Sequence, residues 1–312
     1  MYMKTLKVSL LIFCVMTILS CSQDGESISP NPPSDVLTDV SVTFSGFEVT
    51  VTPDARDDSN TRATANEANV TRIALKIFDS QGETVFSANR IKGVDENFDA
   101  IDCQLPKGSY TFVAVAHRAS SAESPNADIQ SATSASISEK YLPKMLFSKV
   151  VNVTILGEAT QPVAIDFGSR ITSTLVVKPK DASLEDVERV EIVVNPTGTA
   201  ATDTHTFNPT TGFATSALSY TINYRRSEFG LSSFTGQYFN VVLLLTAENQ
   251  NSDVVISMYD SSDALLHSCT VNAAPFKPHS ITTIEGYFFG TNVSNSFNFD
   301  MSEETNTVIP MY

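Results

Sequence analysis

The sequence predicts an all-β protein, two antiparallel β-sandwiches in tandem, delivered by an export signal. Three observations carry this. Val, Ile, Thr, Phe and Tyr are plentiful, with Asn, Ser, Asp and Gly clustered between apolar runs. Short runs alternate apolar and polar residues with a period of two, whereas helix-period stretches of ten or more residues are nearly absent after residue 20. The third is length: about 290 residues follow the leader, enough for two domains.

The leader is Met1 to Ser20. Lys4 and Lys7 give a positive start, Val8 to Leu19 is apolar apart from Ser9 and Thr17, and Ile18-Leu19-Ser20-Cys21 closes it. That order marks a secretory signal, with an apolar stretch too short to span a bilayer comfortably. The closing residues resemble a bacterial lipobox, which implies cleavage between Ser20 and Cys21 and acylation of Cys21. Several acyl chains hold a protein at a membrane where one chain, at ~0.8 kcal/mol per buried methylene, binds only marginally. Ser22-Gln23-Asp24-Gly25-Glu26 resembles an acidic tag of lipoproteins exported to the outer face of the outer membrane, so surface exposure is expected. Residues 21–37, with Pro30, Pro32 and Pro33, read as a flexible tether.

Loss of the leader removes two of the 20 basic residues, leaving 18 against 35 acids and a net charge of −17. Such acidity excludes nucleic acid and electrostatic adhesion to anionic lipid. Cys103 and Cys269 fall in different expected domains and read as small buried apolar residues.

Val40 to Val51 is the first strand. Val40, Val42 and Phe44 share one parity, Phe47, Val49 and Val51 the other, and Gly46 between them suggests a bulge that keeps one face buried. Pro53 to Glu67 is a polar loop; its acids Asp54, Asp57 and Asp58 lack the glycine and terminal glutamate of a calcium loop. Val70 to Phe78 resumes the alternation, with Ile73, Leu75 and Ile77 inward and Arg72 and Lys76 outward. Asp79-Ser80-Gln81-Gly82 turns it into Glu83 to Phe86, and Pro106-Lys107-Gly108 launches Ser109 to Ala116, apolar on both faces. Arg118 to Lys140, rich in Ser and Ala, reads as a long loop or a short helix. Lys149 to Leu156 and Pro162 to Phe167 complete a first sandwich over 38–168.

The pattern restarts at Gly168-Ser169-Arg170, which sets a second sandwich over 169–312. Its strands are expected at Ile171–Lys178, Val190–Val194, Leu218–Tyr224, Tyr238–Ala247, Val254–Asp260, Ala264–Val271, Ser280–Phe289 and Asn298–Asp300. Asn195-Pro196-Thr197-Gly198 is a turn.

Catalytic chemistry has no foothold in these residues. His117, His205, His267 and His279 are far apart, no Cys/His pair has zinc spacing, and there is no G-x-S-x-G elbow or phosphate loop. No metal, cofactor or catalytic residue is expected.

The chain resembles the fimbrillin family, lipoprotein precursors that build or anchor pili of certain Gram-negative bacteria. The likeness rests on order and spacing: the lipobox, the Val40–Val51 strand, Thr61-Arg62-Ala63, Val70-Thr71-Arg72-Ile73-Ala74-Leu75-Lys76-Ile77-Phe78-Asp79, Leu105-Pro106-Lys107-Gly108-Ser109-Tyr110-Thr111-Phe112-Val113, the Arg170 strand, and Pro275-Phe276-Lys277-Pro278-His279-Ser280-Ile281-Thr282-Thr283-Ile284-Glu285-Gly286. It implies two Greek-key, transthyretin-like sandwiches on an outer-membrane lipoprotein of the cell surface. In stalk or tip members it implies removal of the first strand by an Arg-specific protease, here at Arg62-Ala63 or, second, Arg56-Asp57. The strand that would leave carries Val40, Val42, Phe44, Phe47, Val49 and Val51. A strand of another fimbrial subunit would then fill the groove. The donor is the tail around Phe297 to Tyr312 or the freed amino end. The leading expectation is thus a stalk or tip subunit assembled by donor-strand exchange after that cut; the alternative is an anchor-type or accessory member, which stays uncut and keeps its lipid. A surface lipoprotein that binds glycan is the reading from another class, and a host or bacterial surface ligand belongs with either.

Overall fold

The computed structural model describes residues 36–47, 70–181, 183–195, 197–289 and 297–303. They are almost wholly strand and turn, in agreement with the all-β expectation. The strands are β1 (Leu37–Ser45), β2 (Arg72–Phe78), β3 (Thr84–Ile91), β4 (Ala100–Pro106), β5 (Gly108–His117), β6 (Asp128–Ser131), β7 (Ser134–Ser138), β8 (Leu146–Ile155), β9 (Thr160–Asp166), β10 (Ser173–Pro179), β11 (Arg189–Val194), β12 (Thr199–Ala200), β13 (Thr204–Phe207), β14 (Leu218–Arg225), β15 (Phe239–Leu243), β16 (Gln250–Tyr259), β17 (Leu265–Phe276), β18 (Ser280–Gly286) and β19 (Asn298–Glu303). A 3-10 turn, Arg226–Phe229, ends on Gly230 in the left-handed region (φ 64°).

One connectivity occurs twice. In the first half β4–β1–β9 faces β3–β2–β5–β8; in the second, β15–β10–β18–β19 accompanies β12–β14–β11–β16–β17. In each half the leading strand, β1 or β10, lies between an antiparallel neighbour and a parallel one. Most other ladders are antiparallel, as expected. The parallel pairs β1–β9 and β10–β18 join strands far apart in sequence, as parallel pairing requires.

Local chemistry sets the turns. Asp79 accepts the backbone N–H groups of Gln81 and Glu83, both at 2.9 Å, and Gly82 takes φ 85°, which closes the β2–β3 hairpin. Asn195 accepts the N–H of Gly198 at 2.9 Å where the turn was expected.

Burial forms two apolar clusters. The smaller lies between the two sheets of the first half and includes Val40, Val42, Phe44, Ile73, Leu75, Ile77, Phe112 and Ala114. The larger takes the opposite face of β2 and β5, with Ala74, Phe78, Val113 and Val115, and runs on through Leu175, Ile192, Phe239 and Ile256. The β2–β5 sheet is therefore covered on both faces, which corrects one expectation. Arg72, expected outward, is buried, and its guanidinium donates to the carbonyls of Ala122 (2.7 Å) and Thr71 (3.2 Å).

The Ser/Ala-rich stretch is neither plain loop nor helix. It forms the hairpin β6–β7, and β7 pairs with β13, Phe207 opposite Ala135 and His205 opposite Ile137. Cys103 and Cys269 are free and buried in separate clusters. Burial, helped by Asp102, pushes the Cys103 thiol up to about 11, so it packs as an unreactive apolar group.

Candidate functional site: the slot that holds β1

β1 reads LTDVSVTFS, and its exposure alternates residue by residue. Thr38, Val40, Val42 and Phe44 point inward, each 5% exposed or less, while Leu37, Asp39 and Thr43 point out. This is the period-2 pattern of a strand with one buried face. The strand is central in its sheet. On one side it pairs antiparallel with β4, from Leu37 opposite Pro106 to Thr43 opposite Ala100. On the other it runs parallel to β9, from Asp39 opposite Thr160 to Ser45 opposite Asp166.

The slot walls are Ile101, Cys103 and Leu105 of β4 and Val163 and Ile165 of β9; its floor is Ile73, Leu75, Phe112 and Ala114. The outer face is polar: Ser41 donates to Asp102 at 2.7 Å and Gln104 to Asp39 at 2.8 Å. Three apolar side chains at about 1.5–3 kcal/mol each give roughly 5–9 kcal/mol of gross burial. Backbone bonds to two neighbours add ~0.5–1.5 kcal/mol each.

At the far end Gly46 takes φ 77°, and a Cβ there would lie 2.0 Å from Asp166 Oδ1 and 2.8 Å from the Gly168 nitrogen. Only glycine fits. The chain turns there, so Phe47 leaves the ladder yet packs its ring on Phe98 (6.2 Å) and Phe167 (6.0 Å). The expected change of direction at Gly46 is thus a sharp end to β1 at Ser45. Val49 and Val51, with Ser20, Cys21, Arg56, Arg62 and Ala63, lie outside the described residues. Thr38 continues the inward row, and its parity with Val40 was the signal that sequence reasoning overlooked.

At the other terminus, β19 pairs antiparallel with β18, from Asn298 opposite Glu285 to Glu303 opposite Ser280. Phe297 stacks on Phe288 at 5.1 Å, whereas Phe299 and Met301 are each 39% exposed. Val308 and Ile309 lie outside the described residues.

The slot contains no nucleophile paired with a base, and no group of three or more His, Cys, Asp or Glu suited to a metal occurs among the described residues. His117 and His205 are buried on β5 and β13. What the slot can do is hold an extended strand with apolar residues at alternate positions.

Comparison with known proteins gives this arrangement a family. Residues 34–221 match the model of the fimbrillin-A associated anchor proteins Mfa1 and Mfa2, a span that covers β1, the slot and the opening of the second half. The chain belongs to this family. It is thereby a fimbria-associated protein, in a family of fimbrial rather than enzymatic proteins. No curated protein sequence matches it.

Among solved structures, a Bacteroides thetaiotaomicron protein named for a proposed polysaccharide binding has a TM-score of 0.51 at 12% identity, over 86% of this chain and 100% of that one. The tip fimbrial protein Mfa3 of Porphyromonas gingivalis gives 0.43 at 12% identity, over 86% and 99%. A fimbrial assembly protein of Parabacteroides distasonis gives 0.47 at 13%, over 87% and 97%. The first of these likenesses concerns the fold.

Proposed function

We propose that this protein is a lipid-anchored accessory subunit of a cell-surface fimbria. Cys21 carries the lipid at the outer membrane, residues 21–37 act as tether, and two tandem sandwiches, 38–168 and 169–312, stand off the surface and meet neighbouring subunits through sheet edges. The observation that carries this reading is the match of residues 34–221 to a family of fimbrial anchor proteins. An anchor has to keep its lipid, hence its amino-terminal segment, hence β1.

The central place of β1 supports a second reading, a stalk or tip subunit. Cleavage at Arg62-Ala63, or at Arg56, would release a strand whose removal leaves unpaired backbone on β4 and β9 and an apolar trough between them. A partner's strand would fill it by donor-strand exchange. The donor would be the tail beyond Phe297 or a freed amino end.

Mass spectrometry of the amino terminus of protein taken from the cell surface separates the two. Acylated Cys21 establishes the anchor, and a start at Ala63 establishes the polymerising subunit. Membrane partitioning unchanged in Cys21→Ala would overturn the lipid attachment on which the first reading stands.

A further inference from the structure

β14 is an edge strand for most of its length. β11 covers one side of it from Tyr220 to Arg225, whereas β12 covers the other only at Leu218 and Ser219. The direction of the backbone beyond that point follows from alternation. In an antiparallel ladder the N–H and C=O of one residue share a side, and those of the next residue take the other. The Ala217 and Ser219 carbonyls accept the N–H groups of Thr199 and Ala201, on the β12 side. The Leu218 carbonyl accepts Asn195 Nδ2 at 3.0 Å and the Arg226 N–H donates to the Glu188 carbonyl, both on the β11 side. Thr221 and Asn223 therefore turn their N–H and C=O groups away from β11. Among the described residues these groups have no partner.

That edge opens on a cleft of about 440 Å³. Tyr220, Thr221, Ile222 and Asn223 all line it, so both faces of β14 meet the cleft, as they do where a cavity runs along the edge of a strand. Its floor is apolar: Leu142, Tyr220 and Val242 are buried and Ile222 is half-buried. The adjoining edge, that of β15, is already closed. Asn240 and Leu244 donate their N–H groups to the Tyr224 and Tyr220 hydroxyls at 3.0 and 3.1 Å.

We propose that this cleft receives an extended segment of a neighbouring fimbrial subunit, apolar at alternate positions, which adds to β14 as a further strand. The inference rests on the reading that the sandwiches meet their neighbours through sheet edges, and it names one such edge, separate from the β1 slot. Main-chain bonds at Thr221 and Asn223 hold the segment, and the floor sets its register. Side chains level with Tyr220 and Ile222 meet apolar surface; those level with Thr221 and Asn223 stay in water.

The test begins with selection of a phage-displayed library of short linear peptides on the mature chain carrying Cys21→Ser. Enriched peptides should alternate apolar and polar residues, and their synthetic forms should slow amide exchange across residues 221–225. Thr221→Pro removes an N–H that faces the cleft and none that bonds β11, a substitution that an edge strand accommodates. It should weaken binding about tenfold or more, with thermal unfolding close to the parent's. N-methylation of every second peptide amide should weaken binding likewise in one phase and leave it alone in the other, a readout that does not depend on how the protein variant folds. The proposal is overturned by a selection without enrichment, by binding that leaves residues 221–225 unprotected, or by binding indifferent to N-methylation in both phases. Such a failure is distinguishable from failure of the fimbrial reading, which the amino-terminal mass spectrum tests.

Discussion

Phe44→Ala tests whether β1 fills its slot as an integral strand. Phe44 is 5% exposed, pairs in register with Ile165 of β9, and stacks on Phe167 at 6.1 Å with 24° between ring planes. Truncation of a buried phenylalanine costs about 3–5 kcal/mol, the spread set by how far the neighbours collapse into the space. Here neighbours can move into much of the space: Phe47, whose ring lies 6.0 Å from that of Phe167, can lean inward, while Phe147 at 6.2 Å backs Phe167 from the other side. The lower end, about 3 kcal/mol, is therefore expected. At ~2–4 °C per kcal/mol for a body of this size, the melting temperature should fall by roughly 6–12 °C. Thr43→Ala, one residue away on the outer face, should stay within ~0.5 kcal/mol of the parent. Urea unfolding followed by far-ultraviolet circular dichroism suits a chain without tryptophan. Equal midpoints for the two variants, both within about 1 kcal/mol of the parent, would show that the inward row bears no packing and would refute the slot.

Three further outcomes are expected. Gly46→Ala should destabilise by ~1–3 kcal/mol, since φ 77° and the Asp166 and Gly168 contacts leave no room for a Cβ; an unchanged urea midpoint would count against that turn. Arg72→Ala removes a buried guanidinium together with its part-buried bonds to the carbonyls of Ala122 and Thr71 and should cost about 2–3 kcal/mol, read in the same titration. His117, buried beside Arg72 and Glu139, is held at about 4 against an ordinary 6.5, so in acid the unfolded chain takes up its proton first. Its contribution is complete above pH 6.5 and drains away as pH falls through 4, by roughly 2–3 kcal/mol at pH 4.5. His117→Phe should flatten that part of the pH–stability curve, and a curve identical to the parent's would sink the assignment.

Two kinds of strand were legible: β5, β10 and β15, buried on both faces, as apolar runs, and strands with one wet face as alternation. β1, β9 and β11 alternate cleanly because every second residue meets water, and period two survives in their letters. β4 carries the same signal, with Ile101, Cys103 and Leu105 set against Asp102 and Gln104, but it is short and its end runs into the Pro106-Lys107-Gly108 turn, so the alternation spans few residues. The β6–β7 hairpin left little trace, since its buried Ile129 and Ile137 are isolated among Ser and Ala and its stabilising partner β13 lies some seventy residues on. Arg72 was assigned to the correct face; what the alternation could not tell was that a second cluster covers that face. The inward row of the candidate site was legible, and so was β9 as a strand; the parallel pairing that makes β9 a wall of the slot was not. A pairing between residues 39–45 and 160–166 is a product of chain topology, and local pattern does not encode it.

The proposed strand exchange fits the first half of the doubled connectivity and not the second. β1 and β10 hold equivalent places, each between an antiparallel and a parallel neighbour, so each in principle defines a slot. β10 is locked in. Only residues 167–172 separate it from β9 and 180–188 from β11, Ile171 donates to the Leu146 carbonyl, and Leu175 to Val177 are buried without alternation, with contacts on both faces. To remove it would sever the chain between its halves. Between β1 and β2 lie residues 46–71, the stretch that carries Arg56 and Arg62, so a cut there separates β1 from the strands that follow without dividing the two halves. The face of β2 and β5 turned away from β1 is held independently by Ala74, Phe78, Val113 and Val115 in the larger cluster. Loss of β1 would therefore open the smaller core and leave the larger one anchored. A replacement strand faces a strict requirement: apolar or small residues at alternate positions matching Thr38, Val40, Val42 and Phe44, with a sharp turn where Gly46 stands.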